Sequence, residues 1–324
     1  MTTAVIADTG PDQGVAWHYG DPSREQREID AGRGIVDLSH HGVLTVTGPD
    51  RLSWLHSLTT QQLTDLAPGS GTTALILSGS QGHVEHVLYA VDDGETFWAH
   101  TEPGGVEALV GFLDRMRFML RVEVADRTAD FGILWTTDDS LVDHPARSYA
   151  DSLGGRDLFV PRSDIAAVLA SGSPAGTWAY EARRIAAGVP RIGVDTDHRT
   201  IPNEIGVLGG AVHLNKGCYP GQETVGRVQA LGRPPRRLVR LHLDGSAEAL
   251  PEVGAPILLD GRPVGRMGSS ARHWEDGPIG LGLVKRNVPV DAEFTVSGIA
   301  AAQEVIVDPE IGDHFRAPIR SQPA

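Results

Sequence analysis

At Gly232-Arg233-Pro234-Pro235 the character of the chain changes, and this break constrains the fold more than any other feature. Paired prolines cannot continue a helix or sit in a central strand. Beyond the break the apolar runs are short and separated by glycine and proline, at 237–243, 256–259, 263–270, 279–284 and 293–297. That is the pattern of a small β-barrel. Ahead of the break, strands alternate with helices. Residues 43–47 read as a strand, Gly48-Pro49-Asp50 as a turn and N-cap, and Leu52, Leu55 and Leu58 recur at helical spacing. Strands are expected at 73–77, 84–91 and 96–99, the last two joined through Asp92-Asp93-Gly94. Pro103 opens a helix with Val106, Leu109, Val110 and Leu113 on one face, and strands at 119–124 and 131–135 follow. A fainter second round has a strand at 157–160 and helices at 163–170 and 177–187. The expected class is α+β, a duplicated strand–helix region in two subdomains (1–140 and 141–232) followed by a barrel at 233–324. Pro318 and Pro323 mark a loose tail.

A length of 324 residues is ample for two or three cores. No apolar run approaches the roughly 20 residues that span a bilayer. Asp8 and Asp12, with no arginine before Arg24, resemble neither a secretory nor a mitochondrial leader, so a cytoplasmic location is expected. A single cysteine excludes an intrachain disulfide and suits a reducing compartment. A net charge of −14 argues against broad nucleic-acid binding, direct tRNA binding included. Phosphate loops and dinucleotide fingerprints are absent from the sequence; Gly280-Leu281-Gly282 belongs to a barrel strand. His83 and His86 point to opposite faces of a strand, as do the adjacent His40 and His41 if extended, and nothing has the spacing of a zinc site. No stably bound metal is expected.

The only cysteine lies in Lys216-Gly217-Cys218-Tyr219-Pro220-Gly221-Gln222-Glu223. Pro220 suits the first helical position, and the periodic segment runs to Leu231 before Gly232 stops it. Cys218 is therefore expected within a residue or two of a helix N-terminus. The partial positive charge there, with Lys216 beside it, favours the thiolate. Glu223 near the helix start is expected to hold the loop in shape, with Gly217 and Gly221 as its structural glycines. Glu204 follows Pro202-Asn203 in a polar loop, as a capping glutamate or as a carboxylate that accepts paired ring N–H groups.

Lys-Gly-Cys-Tyr-x-Gly-Gln-Glu resembles the signature of the YgfZ/Iba57 proteins, folate-binding relatives of the glycine-cleavage T-protein that assist iron–sulfur enzymes. The resemblance extends to Asp37-Leu38-Ser39, to Gly42 through Arg51, to Leu55 through Gln61, to Arg184 through Arg191, and to Ile201 through Glu204. It implies a three-part arrangement around a central hole that holds tetrahydrofolate or a one-carbon derivative. Glu204 would lie near the pterin, with Tyr219, Gln222 and Arg227 as further cofactor contacts and Cys218 and Lys216 as the catalytic pair within reach of the folate. The run Arg227, Arg233, Arg236, Arg237 and Arg240 suits the glutamate tail of a folate. Partners would be folate and iron–sulfur client or assembly proteins. One thiolate cannot complete the four-thiolate shell of a cluster, so any cluster contact must be shared.

One departure bears on the reaction. T-proteins carry an aspartate pair where this chain has Glu85 and His86, in Gly82-His83-Val84-Glu85-His86-Val87. Three readings follow: an iron–sulfur accessory protein that uses Cys218, a folate-dependent aminomethyl- or methyltransferase that uses Glu85 or His86 as base, and a non-catalytic folate-sensing scaffold. Turnover is therefore left open at this point.

Overall fold

Alternating apolar residues place much of the chain in antiparallel sheet, and capping chemistry sets where helices interrupt it. The computed structural model describes residues 3–141, 147–246 and 248–313; the expected tail at Pro318 and Pro323 lies outside them. The chain opens with a hairpin of β1 (Val5–Ile6) and β2 (Ala16–His18). Helix α1 (Pro22–Asp30) follows; Asp21 accepts from the Arg24 amide at 2.9 Å and Pro22 occupies the first turn.

The first sheet contains β4 (Gly42–Thr47), β5 (Gly71–Leu77), β6 (Val84–Asp92), β7 (Thr96–Thr101) and β8 (Glu123–Asp126), in the order β5-β6-β7-β4-β8. Helices α2 (Arg51–Leu58) and α3 (Val106–Met116) cover one face, over a core of Leu44, Leu55, Ile76, Phe97, Leu109 and Leu113. The second sheet contains β3 (Gly34–Asp37), β9 (Phe131–Thr136), β10 (Arg147–Ala150), β11 (Arg156–Pro161) and β12 (Ser173–Ala175), in the order β10-β11-β9-β3-β12. Helix α4 (Ile165–Ser171) packs on its outer face through Val168. In each sheet the first strand lies fourth and the last strand sits at the edge beside it. The sheets meet through Val43, Val91 and Trp98 from one and Val36, Ile133 and Phe159 from the other. Two strands of the second sheet lie ahead of residue 140, so a division there would separate hydrogen-bonded neighbours.

Helix α5 (Thr177–Ala186) bridges the second sheet to the barrel, with Ala179 in one core and Ala182 and Ile185 in the other. Helix α6 (Gln222–Leu231) then leads into the closed barrel of β13 (Arg236–Leu243), β14 (Pro256–Leu259), β15 (Arg262–His273), β16 (Gly277–Lys285), β17 (Glu293–Val296) and β18 (Ile299–Val305), in the order β13-β16-β15-β14-β17-β18.

The expected strand at 119–124 starts later. Phe118 turns the chain at φ 45°, and Met119 and Leu120 are exposed, so sheet pairing begins at Glu123. Strand β18, which closes the barrel, escapes sequence reading because its Ala-Ala-Ala-Gln-Glu centre has little strand propensity. Pairing with β13 and β17 on both sides compensates.

Candidate functional site

Residues 216–221 form a loop held at each end by an inward side chain. Lys216 is buried, and its Nζ donates to the carbonyl oxygens of His56 and, at 2.5 Å, Thr59. These are carbonyls at the negative end of α2, where a cation is favoured. Burial draws the Lys216 ammonium down to about 8, while its two acceptors favour the charged form. Tyr219 is also buried, among Leu75, Leu77, Val87, Ala211, Val212 and Val225, with the Lys216 ammonium 5.0 Å from its ring centre. Between these anchors Gly217 and Cys218 face solvent.

Gly221 is the tightest point. Its φ is 81°, and an added Cβ would lie 2.9 Å from Gly82 Cα and 3.0 Å from Ser78 O. Its amide donates to Gly79 O at 3.1 Å, so the loop rests backbone to backbone on the β5–β6 turn. This contact delays the helix. Gly221 is the N-cap and α6 starts at Gln222, so Cys218 lies three residues ahead of the cap rather than in the first turn. Lys216 is directed at α2, away from the expected role beside the thiol. Gln222 reaches back to Lys216 O at 3.5 Å. Glu223 and Arg227 are exposed on α6, and neither has a side-chain hydrogen-bond or ion-pair partner among the described residues.

Glu204 sits elsewhere. It is buried in the 3-10 turn Pro202–Glu204, where it accepts from the Ile201 amide at 3.1 Å. Arg236 grips both of its oxygens at 2.8 Å and also binds Asp197 at 2.7 Å, which holds that carboxyl well below its usual range. The side chain expected near a pterin instead clamps the 197–204 loop to the first barrel strand. The arginine run disperses for the same reason. Arg237 is buried in the barrel against Gln303, and Arg240 binds Glu304 and Ala186 O, leaving Arg227 and Arg233 exposed.

The central cavity has a volume of about 480 Å3 and draws its walls from all three parts of the fold: Val87 and Tyr89 from the first sheet, Tyr149 and Asp151 around the second, and Ile306 beyond the barrel. A notch of about 40 Å3 adjoins it, with Tyr89, Asp151, Ser152, Val189 and Pro190 shared between the two. Polar and charged side chains surround the notch, Glu102, Asp151, Asp157, Arg184 and Arg191 among them. Asp151 accepts from Trp135 Nε1 at 2.6 Å, yet burial and then the neighbouring Asp157 push its carboxyl up to about 6. His41 and His100 meet at 3.2 Å, and burial, followed by His100, keeps His41 well below its ordinary pKa. Glu102 is raised by burial against the opposing pull of Arg191.

Sequence reading assigned none of these groups to a site. One signal was present: Glu181 and Arg184 share the α5 face that carries Ala182 and Ile185, and a charged pair inside an apolar stripe needs buried partners.

Cys218 does not line this cavity. Leu75, Val87 and Ala211 belong both to its wall and to the cluster holding Tyr219, which puts a layer of core between thiol and chamber. The expectation that the thiol reaches a folate in the hole is thereby corrected. Glu85, exposed at a bulge in β6, and His86, whose pKa burial lowers, line a separate open cleft of about 610 Å3 with His83, Asp197 and His198. Among the described residues no group of three or more His, Cys, Asp or Glu is placed to hold a metal, and no helix is long and apolar enough to cross a membrane.

Residues 236–309 match the CAF17 C-terminal β-barrel domain. An Arabidopsis thaliana chloroplastic protein, provisionally named a transferase, is 25% identical across 88% of this chain and 73% of its own length. An aminomethyltransferase of Geobacillus kaustophilus is 27% identical across 82% of each chain. A mitochondrial iron–sulfur cluster assembly factor IBA57 homolog of Pyricularia oryzae is 26% identical across 83% of this chain and 75% of its own. The glycine cleavage system aminomethyltransferase T of Bartonella henselae superposes with a TM-score of 0.78 over 96% of both chains at 17% identity, which establishes a shared fold.

Proposed function

We propose that this chain, which belongs to the T-protein-like family of the YgfZ and Iba57 proteins, is an accessory protein for the assembly or repair of iron–sulfur enzymes, holding a reduced folate inside and offering a thiol outside. The carrying observation is the separation of Cys218 from the cavity. A thiol fixed on the surface between two buried anchors suits a partner's cluster or cysteine adduct, and the core behind it keeps it from a one-carbon unit on the folate. As thiolate it supplies one ligand, and the partner, a second copy or small thiols supply the others.

The chamber fits the implied folate. Val87, Tyr89, Tyr149, Ile192 and Val207 offer apolar walls to a flat ring, and the notch offers polar groups at one end. The bound folate would contribute its ring as a wedge that fixes the two sheets and the barrel relative to one another. It could also bring a one-carbon unit. Glu85 and His86 lie on the other cleft, which disfavours a transferase that uses them as base.

Two measurements test this together. Tetrahydrofolate is titrated calorimetrically, under anaerobic conditions, into wild type, Cys218→Ser and Gly210→Trp. Gly210 lines the cavity, and an added Cβ there meets nothing closer than Val207 O at 3.9 Å. The same proteins are expressed in a bacterial strain lacking its own such factor, with activity of a [4Fe–4S] dehydratase as readout. Micromolar binding is expected in wild type and Cys218→Ser and is lost in Gly210→Trp, while Cys218→Ser alone abolishes maturation despite normal binding. No binding by folded wild type removes the folate. Full maturation by Cys218→Ser removes the thiol. Aminomethyl transfer that depends on Glu85 would replace the proposal with the transferase reading.

A further inference from the structure

Two buried arginines line the polar notch, and they differ in one respect. Every guanidinium nitrogen of Arg184 has an acceptor: Nε binds Glu181 at 3.1 Å, Nη1 binds Asp195 at 2.8 Å and Val189 O at 2.7 Å, and Nη2 binds Glu181 at 2.6 Å and Ser269 at 2.7 Å. Among the described residues Arg191 is held through two of its three guanidinium nitrogens. Its Nε donates to Glu102 Oε2 at 2.7 Å and its Nη1 to Asp12 at 2.7 Å and, at greater length, to Glu181 at 3.4 Å. Arg191 Nη2 is buried and has no hydrogen-bond partner among the described residues, although the side chain is only 5% exposed.

An unmet donor of this kind keeps the full desolvation penalty of a polar group taken out of water, larger for a charged group, and needs an explanation in a folded protein. Its neighbour has the complementary spare capacity. Among the described residues Glu102 Oε1 receives only a long contact from the Tyr89 hydroxyl, at 3.4 Å. The bond from Arg191 Nε to Glu102 Oε2 ties the two groups together, so an open donor and an open acceptor belong to one rigid pair at the notch.

We infer that this pair reads the lactam edge of the ring held in the central cavity, Arg191 Nη2 donating to the ring carbonyl and Glu102 Oε1 accepting from the adjacent ring N–H. This inference rests on the folate reading and specifies it: the ligand class is a fused ring bearing a cyclic amide, as in the 4-oxo form of a reduced pterin. It moves ring recognition from Glu204, whose oxygens Arg236 already holds, to a pair assembled from the residue that follows β7 and the loop after α5. The ring stays in the larger chamber, and only its polar edge meets the notch, whose 40 Å3 has room for little more than one water. A 4-amino ring reverses the pattern. It would turn an amino donor toward the guanidinium and a bare ring nitrogen toward the carboxylate, leaving both unpaired.

The test compares tetrahydrofolate with its 4-amino counterpart, tetrahydroaminopterin, by calorimetry on the full-length protein. Wild type is expected to bind the 4-amino compound at least about 100-fold more weakly, the scale on which buried polar groups reject a ligand that cannot pair with them. In Glu102→Gln, whose carboxamide can turn its N–H2 toward a bare ring nitrogen, one of the two mismatches is repaired and the one at Arg191 stays, so the preference should fall about tenfold. Circular dichroism checks that this variant folds, but the wild-type comparison decides without it. Equal micromolar binding of both compounds by wild type would overturn the inference, would mean that water alone satisfies Nη2, and would leave the folate reading intact. Binding of neither would remove both.

Discussion

Replacing Gly221 with alanine should separate the two glycines that flank the thiol. The Gly221 backbone has φ 81°, a conformation that costs an L-residue roughly 1–2 kcal/mol. The new Cβ would also come within 2.9 Å of Gly82 Cα, 3.0 Å of Leu77 Cβ and 3.0 Å of Ser78 O. Backbone atoms cannot rotate aside, so the loop or the β5–β6 turn must shift, and overpacking of this kind adds about 1–3 kcal/mol. The sum is a loss of about 2–5 kcal/mol. Gly217 is the matched control: its φ is not in the left-handed region, and a Cβ there would meet only His56 Nε2, at 3.8 Å. Urea titrations of wild type, Gly221→Ala and Gly217→Ala should give a much lower midpoint for the first variant alone, with m unchanged. A chemical readout accompanies it. Loss of docking should alter the rate at which Cys218 reacts with a thiol reagent in Gly221→Ala. If Gly221→Ala is no less stable than Gly217→Ala, the backbone contact does not position the loop, and the account of why Cys218 lies three residues ahead of the helix cap fails.

Lys216→Met removes two bonds to the α2 carbonyls and should cost about 2–4 kcal/mol, measured by the same titration; a neutral result would mean that solvent serves those carbonyls equally well. Glu204→Ala removes two of the bonds to Arg236, which keeps Asp197, and should cost about 1.5–3 kcal/mol, read as a fall in thermal midpoint, so loss of ligand binding in that variant would report the clamp rather than ring contact. Asp151 has a folded pKa of about 6 against about 3.9 unfolded, so between those values the native state holds more protons and its stability falls as pH rises. The stability advantage of wild type over Asp151→Asn should therefore shrink by about 2 kcal/mol from pH 4 to pH 6.5, and an advantage that grows over that range would refute the assignment.

The chain's local patterns determined its elements. Alternation marked β4 through β7, Gly232 stopped α6, and short runs broken by glycine and proline marked the barrel, because period, turn chemistry and capping act within a few residues. The alternation of Lys216 inward, Cys218 outward and Tyr219 inward was not legible, since a lysine two residues from a cysteine looks like its activator until the ends of α2 are located. Arg236, Arg237 and Arg240 read as one basic patch, but β13 directs them to a loop, the barrel interior and a neighbouring strand. The polar notch shows the same limit. Asp12, Glu102, Asp151, Glu181 and Arg191 come from five separate stretches of sequence, and no spacing rule connects them. Only the stacking of two sheets against α5 and the barrel brings them together. A charge removed from water is then restricted to the few partners within hydrogen-bond reach, and tertiary packing alone decides which those are.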